Sequence, residues 1–549
     1  MANFWPQKKI LVVDDFAAFR RSVKRMLESF GAKDVDDVGS GEEAVRRAER
    51  KAYDIILCDY NLGEGRKDGQ QVIEELKHRQ LLRPSCVLVM ITADSTANMV
   101  MGAIEYRPDA YLLKPFVPEI LRRRLEKFVE GKSEFLGIEN SIKKRDFLEA
   151  IRTCDQKIAE NGPGRYELLR MKGELCTMVG DYDLARQVYQ EVLDIRPIPW
   201  ARLGLAKTLY LSGAYGEARD SLEEIIEDNH TFTEAYDWLA KTLEKLGSLK
   251  ESLEILRQAT DISPKAILRQ KALAEVSYRT RDYTTAEQAF RNSVALGKHS
   301  CHKSATDHVG LAKVYVDQGT PDKALQVTRE ARDEFRNVPE ARMQVAAMDG
   351  FIYTALERPE EARRSMKEAA ELFDKAGVQK IPLKASLEVA RAFLAMGEQE
   401  RGLKLAQEII QNNHEDEGVL LGVQKVFDET HMGARGRQLI ASASEEVVLL
   451  NNQGVQLVEE GKLAESIEYF EQAVTKLPGN KIINANTAHA LMLHMRKFGV
   501  DKDLLARAKK CLDQTRELDP SYQKYRELLP LYERLSSAGP SSSVDRDQE

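Results

Sequence analysis

A small residue returns along this chain at nearly fixed intervals, as Ala185, Ala218, Ser252, Ala286, Ala324 and Ala362. Successive steps are 33, 34, 34, 38 and 38 residues. Each stands in the second of two amphipathic stretches, at the turns GDYDLA, GAYGEA, GSLKES, RDYTTA and GTPDKA or just beyond them. A second small slot lies in the first stretch, filled by Gly173, Ala206, Ala240 and Ala274, and a large one at the turn by Tyr182, Tyr215, Leu249 and Tyr283. Pro197 and Pro264 close their repeats. Small residues let two helices approach, and bulky ones fill the gap between pairs. A period near 34 constrains most of the chain to stacked helix pairs, each touching only its neighbours.

The array opens with a partial match, RDFLEAIRTCDQKI, around Phe147 and Ala150. Beyond Ala362 the pattern predicts a pair around Gly402, an irregular stretch over 415–445 and a pair over Gln453–Pro478. A last pair, Asn484–Pro520, is expected to carry an interhelical insertion near Lys497–Asp503. That makes nine or ten repeats by the usual period. The closing SSAGPSSSVDRDQE is polar and reads as disordered. The boundaries drawn are 1–130, 131–530 for the helical array, and 531–549 for the tail.

Residues 1–130 follow another grammar. Apolar runs at Ile10–Val13, Val35–Val38, Ile55–Cys58, Cys86–Ile91 and Ala110–Leu113 alternate with helical stretches such as Phe16–Phe30 and Gln70–His78. Strands alternating with helices predict a doubly wound, five-stranded parallel α/β sheet covered on both faces. Such sheets place their sites at the carboxyl ends of the strands.

Composition excludes several functions. The net charge of −7 over 549 residues offers no footprint for nucleic-acid phosphates. No apolar run approaches the roughly 18 residues that span a bilayer, and MANFWPQKK lacks the apolar core of a secretory signal. The six cysteines form no CxxC pair and read as reduced thiols. A cytoplasmic protein without membrane insertion is expected. The helical array shows no nucleophile–base constellation or phosphate loop, so it is not read as an enzyme.

The chemistry-bearing residues fall at predicted strand ends. Asp14 and Asp15 follow ILVV, Asp59 follows IILC, Thr92 ends VLVMIT, and Lys114 follows AYLL. Three carboxylates brought together disfavour mutual ionisation and call for a counter-ion. A hard cation with oxygen ligands answers this, and Mg2+ suits few carboxylates plus phosphoryl oxygens. A lysine adds a point charge for phosphate. An aspartate nucleophile there would yield an acyl phosphate.

Over residues 8–128, ILVVDD, LCDYNLG, MITA and YLLKPF stand in an order that resembles the receiver domains of two-component response regulators. The resemblance implies that Asp59 accepts phosphate from a histidine kinase or phosphotransfer protein. It implies Mg2+ held by Asp14, Asp15, Asp59 and the backbone carbonyl of Asn61, with Thr92 and Lys114 on the phosphoryl oxygens and Tyr111 as the switch aromatic. The receiver would catalyse only its own phosphorylation and dephosphorylation. One departure is the loop YNLGEGRKDGQ, longer than is common in that family. Residues 140–525 resemble tetratricopeptide proteins, which implies a groove for an unknown protein partner.

Other signals have plainer readings. Arg20, Arg21, Lys24 and Arg25, and the run Arg122–Arg124, read as solvated helix faces. His299, Cys301, His302 and His308 cluster between two repeats without the spacing of a regular zinc site. Trp200 and Trp238 read as fillers between repeats. Pro321 and Pro359 read as first-turn prolines. The leading expectation is a response regulator in which phosphorylation of Asp59 controls partner binding by the helical array, or pairing of the chain with itself. The alternatives are a phosphate sink whose repeats only localise the receiver, and a repeat-based RNA reader, which the acidic balance disfavours.

Overall fold

The computed structural model describes residues 4–63, 65–93, 108–144, 146–160, 164–376, 383–395, 397–520 and 522–537. The amino-terminal region alternates strands and helices: β1 (Lys9–Val13), α1 (Ala17–Ser29), β2 (Asp34–Val38), α2 (Gly41–Arg50), β3 (Ile55–Asp59), α3 (Gly69–His78), β4 (Val87–Thr92), β5 (Ala110–Leu113) and α4 (Pro118–Lys132). The sheet order is β2-β1-β3-β4-β5, and every neighbouring pair is parallel. This is the expected doubly wound α/β sheet.

Alternation along the strands divides the core. Ile10, Val12, Ile55 and Leu57 pack with Val23 and Leu27 of α1 and with Leu121 and Leu125 of α4. Leu11, Val13, Ile56 and Cys58 pack with Ala44 and Val45 of α2 and with Val72, Ile73 and Leu76 of α3. β3 is buried at all five positions, which is why its sequence is an unbroken apolar run up to Asp59.

Past α4 the described chain is helical. It divides into two compact units, residues 1–177 with 181–307, and residues 178–180 with 308–549. In the first, the repeat turns follow from local chemistry. Gly213 and Gly247 take φ of +86° and +82°, which ends a helix in the left-handed region at little cost. Asp181 then accepts the Leu184 N–H at 3.1 Å, and Asp282 the Thr285 N–H at 3.2 Å, capping the second helix of each pair. Arg281 occupies the glycine position of its turn at φ +61°.

The small slots have a visible cause. The Tyr189 ring lies against Gly173 of its own pair and against Gly204 of the next, and a Cβ at either glycine would collide with it. In the second unit Phe470 fills the same kind of space against Gly454. Trp200 meets Tyr189 edge to face at 6.3 Å, and Trp238 meets Tyr210 at 5.3 Å, so both fill gaps between helices as expected. Pro321 and Pro359 open the helices Pro321–Glu334 and Pro359–Ala376.

Three expectations for the later repeats are corrected. The stretch 415–445 is not irregular. It holds the helix Glu417–Glu429 and much of the 27-residue helix Gly433–Glu459, because Val419, Val423, Val426 and Phe427 recur at helical spacing and pack into one core. The expected insertion near Lys497–Asp503 lengthens the helices instead: Lys481–Phe498 and Lys502–Leu518 are separated only by 499–501. The last helix, Gln523–Ser537, runs past the tail boundary drawn at 531, held by Leu528 and Leu535 one heptad apart in the core. Residues 538–549 lie outside the described residues. All six cysteines are free, and four are buried. Among the described residues no helix is long and apolar enough to cross a membrane.

Candidate functional site

Parallel register gathers the strand ends. Val13 stands beside Cys58, Asp59 beside Ile91, and Thr92 beside Leu113. The residues that follow these positions therefore emerge at one edge of the sheet. There the carboxylate oxygens of Asp14, Asp15 and Asp59 lie within 4.8 Å of one another. Lys114 Nζ completes the cluster, 2.6 Å from Asp14 Oδ2 and 2.8 Å from Asp59 Oδ2.

Burial makes these contacts strong. Asp14 is 1% exposed and Asp59 7%, whereas Asp15 faces solvent. Burial pushes the Asp59 carboxyl upward, and the neighbouring Asp14 adds to this. The Lys114 ammonium opposes both, and the outcome is about 6. For Lys114, burial works against the charge, but its hydrogen bonds to Asp14 and Asp59 outweigh it and hold the amine above its ordinary value. One ammonium faces three carboxyl groups, so the pocket keeps surplus negative charge. The donor set is all oxygen, converging and partly open on the Asp15 side. That fits a hard divalent cation such as Mg2+, held by Asp14, Asp15 and Asp59.

Backbone contacts fix this geometry. The Phe16 N–H donates to Asp14 Oδ1 at 2.8 Å, turning the chain after β1. Arg20 donates through Nη1 to the carbonyls of Asp14 at 2.7 Å and Asp15 at 3.1 Å, and through Nε to Asp37 at 3.2 Å. The Lys114 ammonium sits over the Phe19 ring, 4.2 Å from its centroid. The Lys114 N–H donates to the Thr92 carbonyl at 2.7 Å, and the Lys114–Pro115 bond is cis. α3 starts hard against β3: a Cβ on Gly69 would collide with the Asp59 carbonyl oxygen. Asp68 and Gln71 form a reciprocal cap on that helix.

The remaining expected residues lie nearby. Thr92 is buried at the end of β4. Tyr111 is half-buried on β5 opposite Met90, and burial raises its phenol. Arg124 Nη1 donates to the Tyr111 carbonyl at 2.7 Å. Asn61 is exposed two residues past Asp59, its side chain accepting the Gly63 N–H at 3.1 Å. In the long loop that follows, Gly63 and Gly65 take φ of +100° and +71°; residue 64 lies outside the described residues.

Sequence reasoning missed Arg20 and Phe19. Arg20 was grouped with a solvated basic face, yet its side chain is only 17% exposed and it holds the acidic loop. Lys24 sides with it at Asp37, 3.6 Å away. The available signal was distance along the chain: about one turn into α1, five residues after Asp15, an arginine can fold back onto the carbonyls of Asp14 and Asp15.

Comparison with known proteins finds matches in both regions of the chain. The family pattern described as a response regulator receiver domain matches residues 10–126. Two patterns described as tetratricopeptide repeat match residues 177–242 and 233–265. The chemotaxis protein CheY-3 of Vibrio cholerae is 30% identical over 126 residues, covering 22% of this chain and 92% of that one. The alkaline phosphatase synthesis transcriptional regulatory protein PhoP of Bacillus subtilis is 30% identical over 177 residues, 32% of this chain and 70% of that one. The transcriptional regulatory protein CiaR of Streptococcus pneumoniae is 37% identical over 152 residues, 28% of this chain, and the match spans 64% of its length.

Proposed function

This chain belongs to the response regulator receiver family and carries tetratricopeptide repeats after its receiver, and we propose that phosphorylation of Asp59 controls binding of a protein partner by the repeats. The observation that supports this is the convergence of Asp14, Asp15, Asp59 and Lys114 at one sheet edge.

Asp59 is the nucleophile. Its Oδ forms a bond to phosphorus as the P–N bond of a phosphohistidine breaks and the imidazole leaves, giving an acyl phosphate. Mg2+, when bound by Asp14, Asp15, Asp59 and the Asn61 carbonyl, supplies positive charge for the transferring phosphoryl oxygens. Lys114 already reaches Asp59 and needs little movement to meet the incoming charge. Thr92 offers a hydroxyl from the adjoining strand end. Tyr111 answers by changing its packing on β5, the strand that leads into α4. A tenfold change in partner affinity needs only about 1.4 kcal/mol of bias between two receiver states. The donor is a histidine kinase or phosphotransfer protein, and the setting is the cytoplasm.

The test is direct. The full chain, incubated with Mg2+ and a small phosphodonor such as acetyl phosphate, should gain one acid-stable but base- and hydroxylamine-labile phosphoryl group, absent from Asp59→Ala. Retention of the label in that variant ends the proposal. If labelling occurs at Asp59 but partner affinity and oligomeric state do not change, the receiver is a phosphate store and not a control element.

A further inference from the structure

α3 meets more than its own sheet. The turn between helices Tyr283–Gly297 and Ala305–Asp317 lies against it, within the same compact unit. Ser300 Oγ donates to Glu74 Oε2 at 3.0 Å, bridging 226 residues of chain. Gln71 Nε2 donates to the Leu296 carbonyl at 3.4 Å. The rings of His78 and His302 meet edge to face, 4.9 Å between centroids. Glu74 and His78 are four residues apart and so share one face of α3.

The ligand atoms of His78, Cys301 and His302 all lie within 4.8 Å of one another. Glu74, 7% exposed, places Oε1 3.5 Å from His302 Nε2. We propose that His78, Cys301 and His302 form a site for a borderline transition cation, zinc by its donor set, and that the ion clamps α3 of the receiver to the repeat turn.

Two imidazoles and a thiolate are the ligands that zinc prefers and magnesium avoids, so this site and the acidic pocket select different ions. Tetrahedral Zn–N and Zn–S bonds of about 2.0–2.3 Å put ligand atoms about 3.3–3.6 Å apart, inside the 4.8 Å within which these three lie. The Cys301 thiol gives its proton to solvent as the sulfur–metal bond forms. Glu74 balances the charge of the ion and steadies the His302 ring from behind. Lys271 Nζ donates to the His302 carbonyl at 2.6 Å and pairs with Asp307 at 2.9 Å, holding the turn in place. His299 and His308, grouped with this cluster in the sequence, take no part. The missing ligand, His78, comes from the other end of the chain. The proposal goes beyond the phosphorylation reading and does not depend on it.

The full chain, stripped with a chelator and kept in excess Mg2+ to fill the acidic pocket, would be titrated with Zn2+ against a chromophoric chelator and separately with Co2+. One zinc per chain is expected, and Co2+ should show a thiolate charge-transfer band. Cys301→Ser and His302→Gln should each weaken zinc about 10–100-fold, with phosphorylation by a small donor retained. Hydrogen exchange should slow together in α3 and in residues 298–304 when zinc is added. Absence of the thiolate band in the unaltered chain overturns the site, and this reading needs no variant to fold. Zinc uptake with unchanged exchange in α3 overturns the clamp.

Discussion

Lys114 Nζ stands 2.8 Å from Asp59 Oδ2, joining the end of β3 to the residue that follows β5. The ammonium is shared with Asp14, so one cation holds two buried carboxylates whose mutual repulsion it only partly cancels.

That partial cancellation predicts a pH effect. Asp59 titrates near 6 in the folded chain and near its ordinary 3.8 when unfolded. A raised carboxyl favours the folded state below the unfolded value and loses that benefit as pH rises through about 6. Asp59→Asn removes the loss. Without Mg2+ it should make the receiver more stable than the unaltered chain at neutral pH, by on the order of 1–3 kcal/mol, with the advantage fading below about pH 4. Hydrogen exchange of the β3 amides reads this locally. Added Mg2+ should narrow the gap.

Removing Lys114 should do the reverse. Lys114→Met leaves Asp14, at 1% exposure, beside Asp59 with no ammonium. The receiver should lose about 2–4 kcal/mol at neutral pH, and Mg2+ should restore part of it. Phosphorylation by a small donor at limiting concentration should slow at least about tenfold, which corresponds to about 1.4 kcal/mol of lost charge stabilisation. Equal rates in the two proteins would remove Lys114 from the transfer.

Gly204 faces the Tyr189 ring with no room for a methyl group. Gly204→Ala should cost about 1–3 kcal/mol through overpacking, despite the better helix propensity of alanine. Combining it with Tyr189→Leu should recover part of the cost, because the smaller side chain vacates the space. Denaturant melts of the four proteins form the cycle, and strict additivity would show that the two residues do not share one space.

Arg281 holds φ +61° where its sister turns use glycine. Arg281→Gly should relieve about 1 kcal/mol of left-handed strain, less what glycine adds to the freedom of the unfolded chain. A net rise in stability is expected, measured as a higher thermal midpoint.

Much of this was legible in the residues themselves. The five strands lay where the apolar runs placed them, because β1, β3 and β4 are buried on both faces and show it. That Asp14, Asp59 and Lys114 come together was legible because strand ends in a parallel sheet have one meeting place. The later repeats were harder to read. Around Phe427 and Gly499 the helices grow longer than the repeat norm, and a fixed period mistakes added helical turns for loops. His78 was hidden for another reason. Its neighbour His302 is brought to it by the fold, and nothing local in the sequence distinguishes such a residue from an ordinary solvated side chain.

The Tyr189 ring, set between Gly173 and Gly204, also bears on how such a chain can change over generations. A duplication that copied one helix of a pair without the other would leave a ring with no glycine to receive it, or a hollow with no ring. Growth or loss of this array is therefore viable only in steps that begin and end at the same phase of the period.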